Sequence, residues 1–389
     1  MRSRSVLPVL LAALLLAPLN ALSAPVGIPI LVDLTHKQPP SGIDIMMKVV
    51  PEAQWYILVK SEEDAEALSP VIKAAAHGII IGDLTTVNLE KLGIVMLIIG
   101  QPQVPFTPDE ISVIATWFTE RPGKAIWLAA DSDYPAQGTE TAQHAVNMVL
   151  EAIGAHLRMD YVSVEDPVSN ALRSYRVLGF VNVSEIAVLR YGCDRVLFHG
   201  PGAVAWVDDA GNWHPLTATE KMDNLYIIAT TTAKGQIVEH QAEPKGTSGK
   251  AYMPGDTGVF TLMAAEMMKI GAGTSVVIVS GESPYGGYQP MTTWMYKGIV
   301  ISGPRFVRNV ILWATGYMGE LKEYEKLAEL PEQVTATLEE KSRELSDRVN
   351  SAIAGVSATL NAALGLSVIA VILALIAIAL ALRKPKTTH

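Results

Sequence analysis

The chain's 389 residues give room for one large domain or two ordinary ones with appendages. Its formal net charge is −9, and no Lys/Arg cluster occurs outside the extreme termini, which argues against a nucleic-acid partner. A single cysteine, Cys193, excludes an intrachain disulfide, so a folded domain here must rest on its core.

Arg2 and Arg4 precede an apolar run over residues 6–19, and Ala21-Leu22-Ser23 supplies small residues after it. A basic start, a short apolar segment and small residues make a secretory signal, expected over 1–23 with cleavage after Ser23. The run is short for a membrane span, which needs about 20 residues.

From residue 24 to 160 the pattern alternates strands and helices. Strands are expected at 26–33, 54–59, 79–81, 94–99 and 125–130, the shorter ones as continuous apolar runs of the kind central parallel strands show. A helix over 62–76 is signalled by Ser61 followed by Glu62, Glu63 and Asp64. Thr107-Pro108-Asp109-Glu110 predicts a second helix, with Thr107 as N-cap, Pro108 in the first turn and Glu110 completing a capping box. A third is expected at 139–153, closed by Gly154. Strands separated by helices imply βαβ units and an open, mostly parallel sheet.

Residues 161–257 read as a β-rich insertion or second lobe, with strands at 196–198 and 203–207. Asp209-Ala210-Gly211-Asn212 is a turn, and strands at 226–231 and 236–240 flank a hairpin signal at Ala233-Lys234-Gly235. The α/β pattern resumes over 258–318, with a helix expected at 259–269, a strand at 275–280 and a helix at 304–315 ended by Gly316. The two α/β parts would then form one discontinuous domain.

Residues 319–363 read as a helical stalk in which Val334, Leu345 and Val356, and Leu338, Val349 and Leu360, form two rows repeating every eleven residues. Such a stalk can pair with a second copy or lie on its own domain. Residues 364–382 are uncharged and apolar, and Arg383, Lys384 and Lys386 follow in the tail 383–389. That is the pattern of one transmembrane helix with a cytoplasmic basic end, leaving the bulk of the chain outside.

Ligands of open α/β sheets bind at the carboxyl ends of the strands. Three such ends are polar here: Asp33 with His36; Asp131, Ser132 and Asp133; and Ser280 with Glu282. We therefore take Asp33, His36, Asp131, Asp133, Ser280 and Glu282 as candidate ligand-binding residues. Carboxylates with a histidine could hold a hard or borderline cation, or could bind sugar hydroxyls; Asp131 and Ser280 could equally cap the turns that follow them. No nucleophile elbow, Walker loop, dinucleotide fingerprint or HExxH pattern occurs, so no catalytic residue or cofactor is assigned. Cys193 reads as a buried free thiol, and Asn182-Val183-Ser184 is a glycosylation sequon.

The run 94–100 leads into Gln101-Pro102-Gln103-Val104-Pro105-Phe106-Thr107-Pro108-Asp109-Glu110, then a helix, Gly123 and a strand ending in Asp131-Ser132-Asp133. This order resembles non-catalytic class I glutamine-amidotransferase-like domains. They are similar to the extracytoplasmic domain of gliding-motility-type ABC-transporter auxiliary proteins and to the N-terminal domain of an intraflagellar-transport subunit. Phe306-Val307-Arg308-Asn309-Val310-Ile311-Leu312-Trp313-Ala314 fits too, because such domains close with a helix carrying Asn and Trp at this spacing. The resemblance covers 26–160 and 259–316 and leaves the β-rich segment unexplained. The nucleophilic Cys and the His-x-Glu pair of catalytic amidotransferases have no counterpart, and a single anchor departs from members with many spans.

What the resemblance implies is a flavodoxin-like or amidotransferase-like α/β fold and a membrane-anchored, extracytoplasmic binding or scaffolding role. The chain would be accessory to an ABC-type transport or envelope complex, with its permease and ATPase as partners. The alternatives are a carboxylate- or metal-dependent hydrolase of glycans or peptides, and a structural component of a surface layer or filament held by the stalk.

Overall fold

The computed structural model describes residues 27–132, 134, 140–240 and 247–325, with isolated helical positions between 340 and 373. The expected signal segment, Asp133, most of the expected stalk and the expected membrane helix apart from Leu373 lie outside the described residues. Among the described residues no helix is long and apolar enough to cross a membrane.

The apolar runs of the first part become strands β1 (Ile28–Asp33), β2 (Ala53–Val59), β3 (Gly78–Ile81), β4 (Met96–Ile99) and β5 (Ala125–Ala129). Between and after them lie helices α1 (Ile43–Val49), α2 (Glu62–Ala67), α3 (Pro70–Ala75), α4 (Pro108–Glu120) and α5 (Thr141–Ala152). The expected single helix at 62–76 is thus two helices. Leu68 and Ser69 are extended and Pro70 starts afresh, as a proline that cannot continue a helix requires. The capping box of α4 forms as read, with Thr107 and Glu110 bonding each other's backbone N–H; a cap of this kind is worth about 1 kcal/mol.

The middle of the chain gives β6 (Leu157–Met159), β7 (Ser163–Glu165), β8 (Arg176–Phe180), β9 (Arg195–His199), β10 (Val204–Val207), β11 (Trp213–Pro215), β12 (Leu225–Thr230), β13 (Gly235–Val238) and β14 (Thr257–Gly258). Then follow β15 (Thr261–Ile270), β16 (Gly273–Ser280), a small hairpin of β17 (Met295–Tyr296) and β18 (Ile299–Val300), and helix α6 (Gly303–Ala314).

Ten strands form one sheet in the order β3-β2-β1-β4-β5-β16-β15-β12-β8-β9. The first six are parallel to one another, and from β16 onward every pairing is antiparallel. Alternate residues of the parallel strands feed two cores. Ile30, Val32, Ile57, Ile98 and Trp127 pack with α1 and α6, while Leu31, Leu58, Leu97, Ile126 and Leu128 pack with α4 and α5.

Three sequence expectations are corrected here. The segment expected as a helix at 259–269 is strand β15, paired along its length with β16 through a two-residue turn at Gly271-Ala272. Its Leu, Met, Ala and Glu residues favour helix, but Thr261 to Ala265 are buried between two strands. Glu266 also accepts the backbone N–H groups of His156 (2.7 Å) and Leu157 (3.2 Å), fixing it to the start of β6. The strands around Ala233-Lys234-Gly235 do not pair with each other. β12 belongs to the large sheet and β13 to a three-stranded sheet β14-β13-β7. The β-rich segment is not a separate lobe: β8, β9 and β12 extend the large sheet, and its other strands pack beside it within one compact unit that runs to Tyr324.

The compact unit also continues past residue 319, where the expected stalk would begin. Leu321 is fully buried, Glu320 pairs with Arg308 and Tyr324 lies 4.7 Å from Tyr191, ring to ring. The chain from Glu325 onward is a second unit.

Candidate functional site

The strand order reverses between β1 and β4, so the crevice between their carboxyl ends is where an open α/β sheet would take a ligand. In this molecule the loop after β16 fills it. Tyr285 is fully buried there; the Gly100 N–H donates to its hydroxyl oxygen (2.8 Å), and the hydroxyl donates to the Asp33 carbonyl. One phenol thus satisfies the diverging ends of both strands, and its burial pushes its pKa well above the usual value. The fit is close. A Cβ at Gly100 would lie 2.5 Å from Ser283 Oγ and 2.8 Å from Tyr285 Cζ.

Beneath this loop the candidates fall into two groups. In the first, Asp33 Oδ2 and His36 Nδ1 are 2.8 Å apart, and His36 Nε2 lies 3.5 Å from Glu110 Oε2. Thr35 and Gln38 also donate to the Asp33 carboxylate. Burial alone would raise the Asp33 pKa, but the His36 bond and charge and the Thr35 bonds outweigh it and hold the carboxyl low. Burial works against a charged His36 as well, and Asp33 and then Glu110 overcome it, leaving the imidazole raised. Because Glu110 is also the capping-box residue of α4, this triad ties the end of β1 to the start of that helix.

In the second group, Asp131 and Glu282 share a side-chain hydrogen bond, and Gln101 bonds Asp131. Both carboxyls are pushed well above the carboxylate range, first by burial; for Glu282 the neighbouring Asp131 charge adds to it. Glu282 Oε2 accepts the His199 N–H (2.7 Å) and Oε1 the Ser283 N–H (2.9 Å). Both Glu282 oxygens receive backbone donors, and the two carboxyls share a proton across the hydrogen bond between them. Ser280 Oγ accepts from Trp127 Nε1 (2.8 Å) and donates to the Glu282 carbonyl (2.7 Å). Gly287, at φ +61°, covers the pair: a Cβ there would stand 3.5–3.8 Å from oxygens of Glu282, Gln101 and Asp131.

The structure therefore brings Asp131, Ser280 and Glu282 together in one cluster and Asp33 with His36 in another. All five are buried and bonded internally. Among the described residues no three His, Cys, Asp or Glu side chains converge as a metal site. Asp133 lies outside the described residues.

The concave, open space is elsewhere. A cavity of about 380 Å³ sits beside the end of β5 and is lined by Ser132, Tyr134, Ser163, Val164, Tyr175, Arg176, His199, Gly200, His240 and Tyr288. Residues His199 to Pro201 separate it from the carboxyl pair; Ser132 N–H donates to the Gly200 carbonyl (3.0 Å), and Asp131 bridges Pro201. Its walls are aromatic. Tyr288 stacks on His199 at 4.7 Å, and Tyr134 meets His240 edge-on at 5.0 Å. Burial, then the charges of Arg176 and Lys297, lower the His199 pKa to about 4, so its ring is neutral at physiological pH. Of this lining, Ser132 belongs to a polar strand end read from sequence and Tyr134 follows the candidate Asp133. The other residues sit on β7–β9 and the loops around them, where no site motif marks them.

Cys193 is buried and donates to the Tyr191 carbonyl (3.3 Å), and burial pushes its thiol up to about 12, which keeps it unreactive. Asn182 is exposed, with its amide donating to Asp194 Oδ1 (2.9 Å), while Ser184 of the same sequon is buried.

The architecture defines a mixed α/β protein with a large, mostly parallel sheet flanked by helices. No protein-family model matches the chain, and no curated protein does. A solved structure described as "mmIFT52 N-terminal domain" is similar over 74% of this chain and 97% of its own, at 12% identity and a TM-score of 0.42. A likeness at that level carries no weight for function.

Proposed function

We propose that this chain is a membrane-tethered, extracytoplasmic binding protein, accessory to an ABC-type transport or envelope complex, and that its ligand enters the aromatic cavity beside β5. One observation carries the binding reading. The strand-end carboxylates are spent on backbone N–H groups and on each other beneath the loop after β16, while the cavity is open and lined by tyrosine, histidine and arginine. The tether rests on the uncharged run 364–382 followed by Arg383, Lys384 and Lys386. The transporter partner rests on the sequence resemblance alone. Capture of the tagged full-length protein from native membranes in mild detergent, followed by mass spectrometry, tests it. Recovery of an ATPase with a multi-span permease supports the reading; recovery of the protein by itself rejects the transporter role.

The proton-sharing pair Asp131–Glu282 favours a second reading, a hydrolase, because paired carboxyls with raised pKa values perform acid–base chemistry in other folds. Gly287 lies across that pair, so hydrolysis would require the loop to open. Asp131→Asn separates the two readings: a hydrolase loses turnover, and a binding protein keeps its ligand.

A further inference from the structure

Arg176 is a half-buried cation in the wall of this cavity. It begins β8, beside β9, and its guanidinium lies over the rings of Tyr175 (5.1 Å) and Tyr296 (5.7 Å). Its Nε is buried without a hydrogen-bond partner, and among the described residues no carboxylate pairs with it. Glu165, the acid on the adjoining strand β7, is engaged by His240 Nε2 (3.5 Å) and by the Ser174 hydroxyl. Lys297, whose ammonium lies 5.4 Å from the Tyr296 ring centroid, adds a second positive charge acting on His199. A cation placed in an aromatic wall with a buried, unused N–H is costly unless an anion arrives to meet it. The remaining lining suits a flat or ring-shaped body, because it includes the Tyr288–His199 stack, the edge-on Tyr134–His240 pair, Ser132 and Ser163. At about 380 Å³ the space is at the small end of ligand pockets, which fits one ring with its substituents rather than a polymer.

We propose that the cavity binds a small ring-bearing carboxylate, with the carboxylate on the Arg176 guanidinium and the ring against Tyr288 and His199. This deepens the reading of the cavity as the ligand site and rests on it. Aromatic acids and sugar acids share this chemistry, and the test separates them.

The full-length protein in mild detergent is titrated calorimetrically with benzoate and benzyl alcohol, and with glucuronate and glucose. One acid is expected to bind at least about tenfold more tightly than its neutral counterpart, the discrimination a single charge-assisted contact can supply. Its affinity should weaken with added salt while that of the neutral compound does not. Arg176→Gln should erase the preference for the acid. Tyr288→Ala, at a largely exposed position, should weaken the same acid without lowering the unfolding temperature, which guards against a folding defect in the arginine variant. Neutral rings binding as tightly as the acids overturn the charge assignment while leaving the cavity a ligand site. Acid affinity unchanged by Arg176→Gln, or no binding of either acid at about millimolar concentration, also overturns it. Membrane capture of partners is independent of all these outcomes, so the two readings fail separately.

Discussion

At the scale of single residues, the two buried clusters differ in how they answer pH. Asp131 and Glu282 have folded pKa values raised above their unfolded values of 3.8 and 4.5. Their contribution is therefore fully present below about pH 4 and is lost as pH rises through the folded values. Asp131→Asn replaces the shared proton with an amide N–H, so urea unfolding of this variant should show a flatter fall in stability above about pH 5 than the parent. Glu282→Gln must instead turn an NH2 group toward the N–H of His199 or Ser283, and should cost about 1–3 kcal/mol at any pH. Equal behaviour of the two variants would show that the backbone donors to Glu282 do not set it apart from Asp131. His36 is raised too, so the stability it lends is complete below its unfolded value of 6.5 and lost as pH climbs through the folded one. Asp33 is lowered, and its share is lost in the opposite direction, as pH falls below 3.8. The stability gap between the parent and His36→Ala should consequently be wider at about pH 6 than at about pH 9. A gap independent of pH would mean that His36 is held neutral.

At the scale of elements, the loop after β16 is a wedge between the ends of β1 and β4, and Gly100 leaves it little room. Gly100→Ala puts a methyl into Ser283 and Tyr285, both fully buried. Overpacking of that kind costs about 1–3 kcal/mol, read as a lower urea midpoint, and should raise hydrogen exchange at the loop before the rest of the sheet opens. An unchanged midpoint would show that the wedge is loose. How much is legible in the sequence follows from the same physics. β1, β2, β4, β5 and β16 are readable because buried parallel strands are rich in apolar residues, and α4 because its capping box is local; β3, read as an apolar run of the central kind, is instead the half-exposed edge strand of the sheet. β15 reads wrongly because its residues favour a helix when taken alone, and only pairing on both edges and the Glu266 bonds to β6 overrule that preference. The strand-end acids are visible as the polar residues that stop apolar runs. That Asp131 meets Glu282, or that Tyr285 closes the crevice, depends on which strands are neighbours, and one sequence does not carry that. The cavity escapes a sequence reading for the same reason: Arg176, His199, His240 and Tyr288 converge only in the folded chain.

At the scale of the whole described domain, Arg308 on α6 gathers separate segments of the chain. Its guanidinium bonds Glu52 through two nitrogens (2.6 and 2.8 Å), Glu320 through two (both 2.8 Å), and the Val49 carbonyl (2.6 Å). It thereby joins the end of α1, the approach to β2 and the segment leaving the domain. These pairs lower both carboxyls, Glu320 to about 2, chiefly through the hydrogen bonds with Arg308. Side chains so placed are partly wet, so the network is worth less than its bond count suggests, about 1–2 kcal/mol. Its shape matters more than its charge: a planar fork can meet two carboxylates through paired N–H groups and still reach a carbonyl, whereas an ammonium, with three donors on one nitrogen, cannot pair bidentately with either. Arg308→Lys, which keeps the charge, should therefore lower the unfolding temperature and expose the segment around Glu320 to limited proteolysis, while acid binding in the cavity stays at the parent's level. If the lysine variant protects that segment as well as the parent does, charge alone holds the exit of the chain, and the departing segment is anchored by the burial of Leu321 instead.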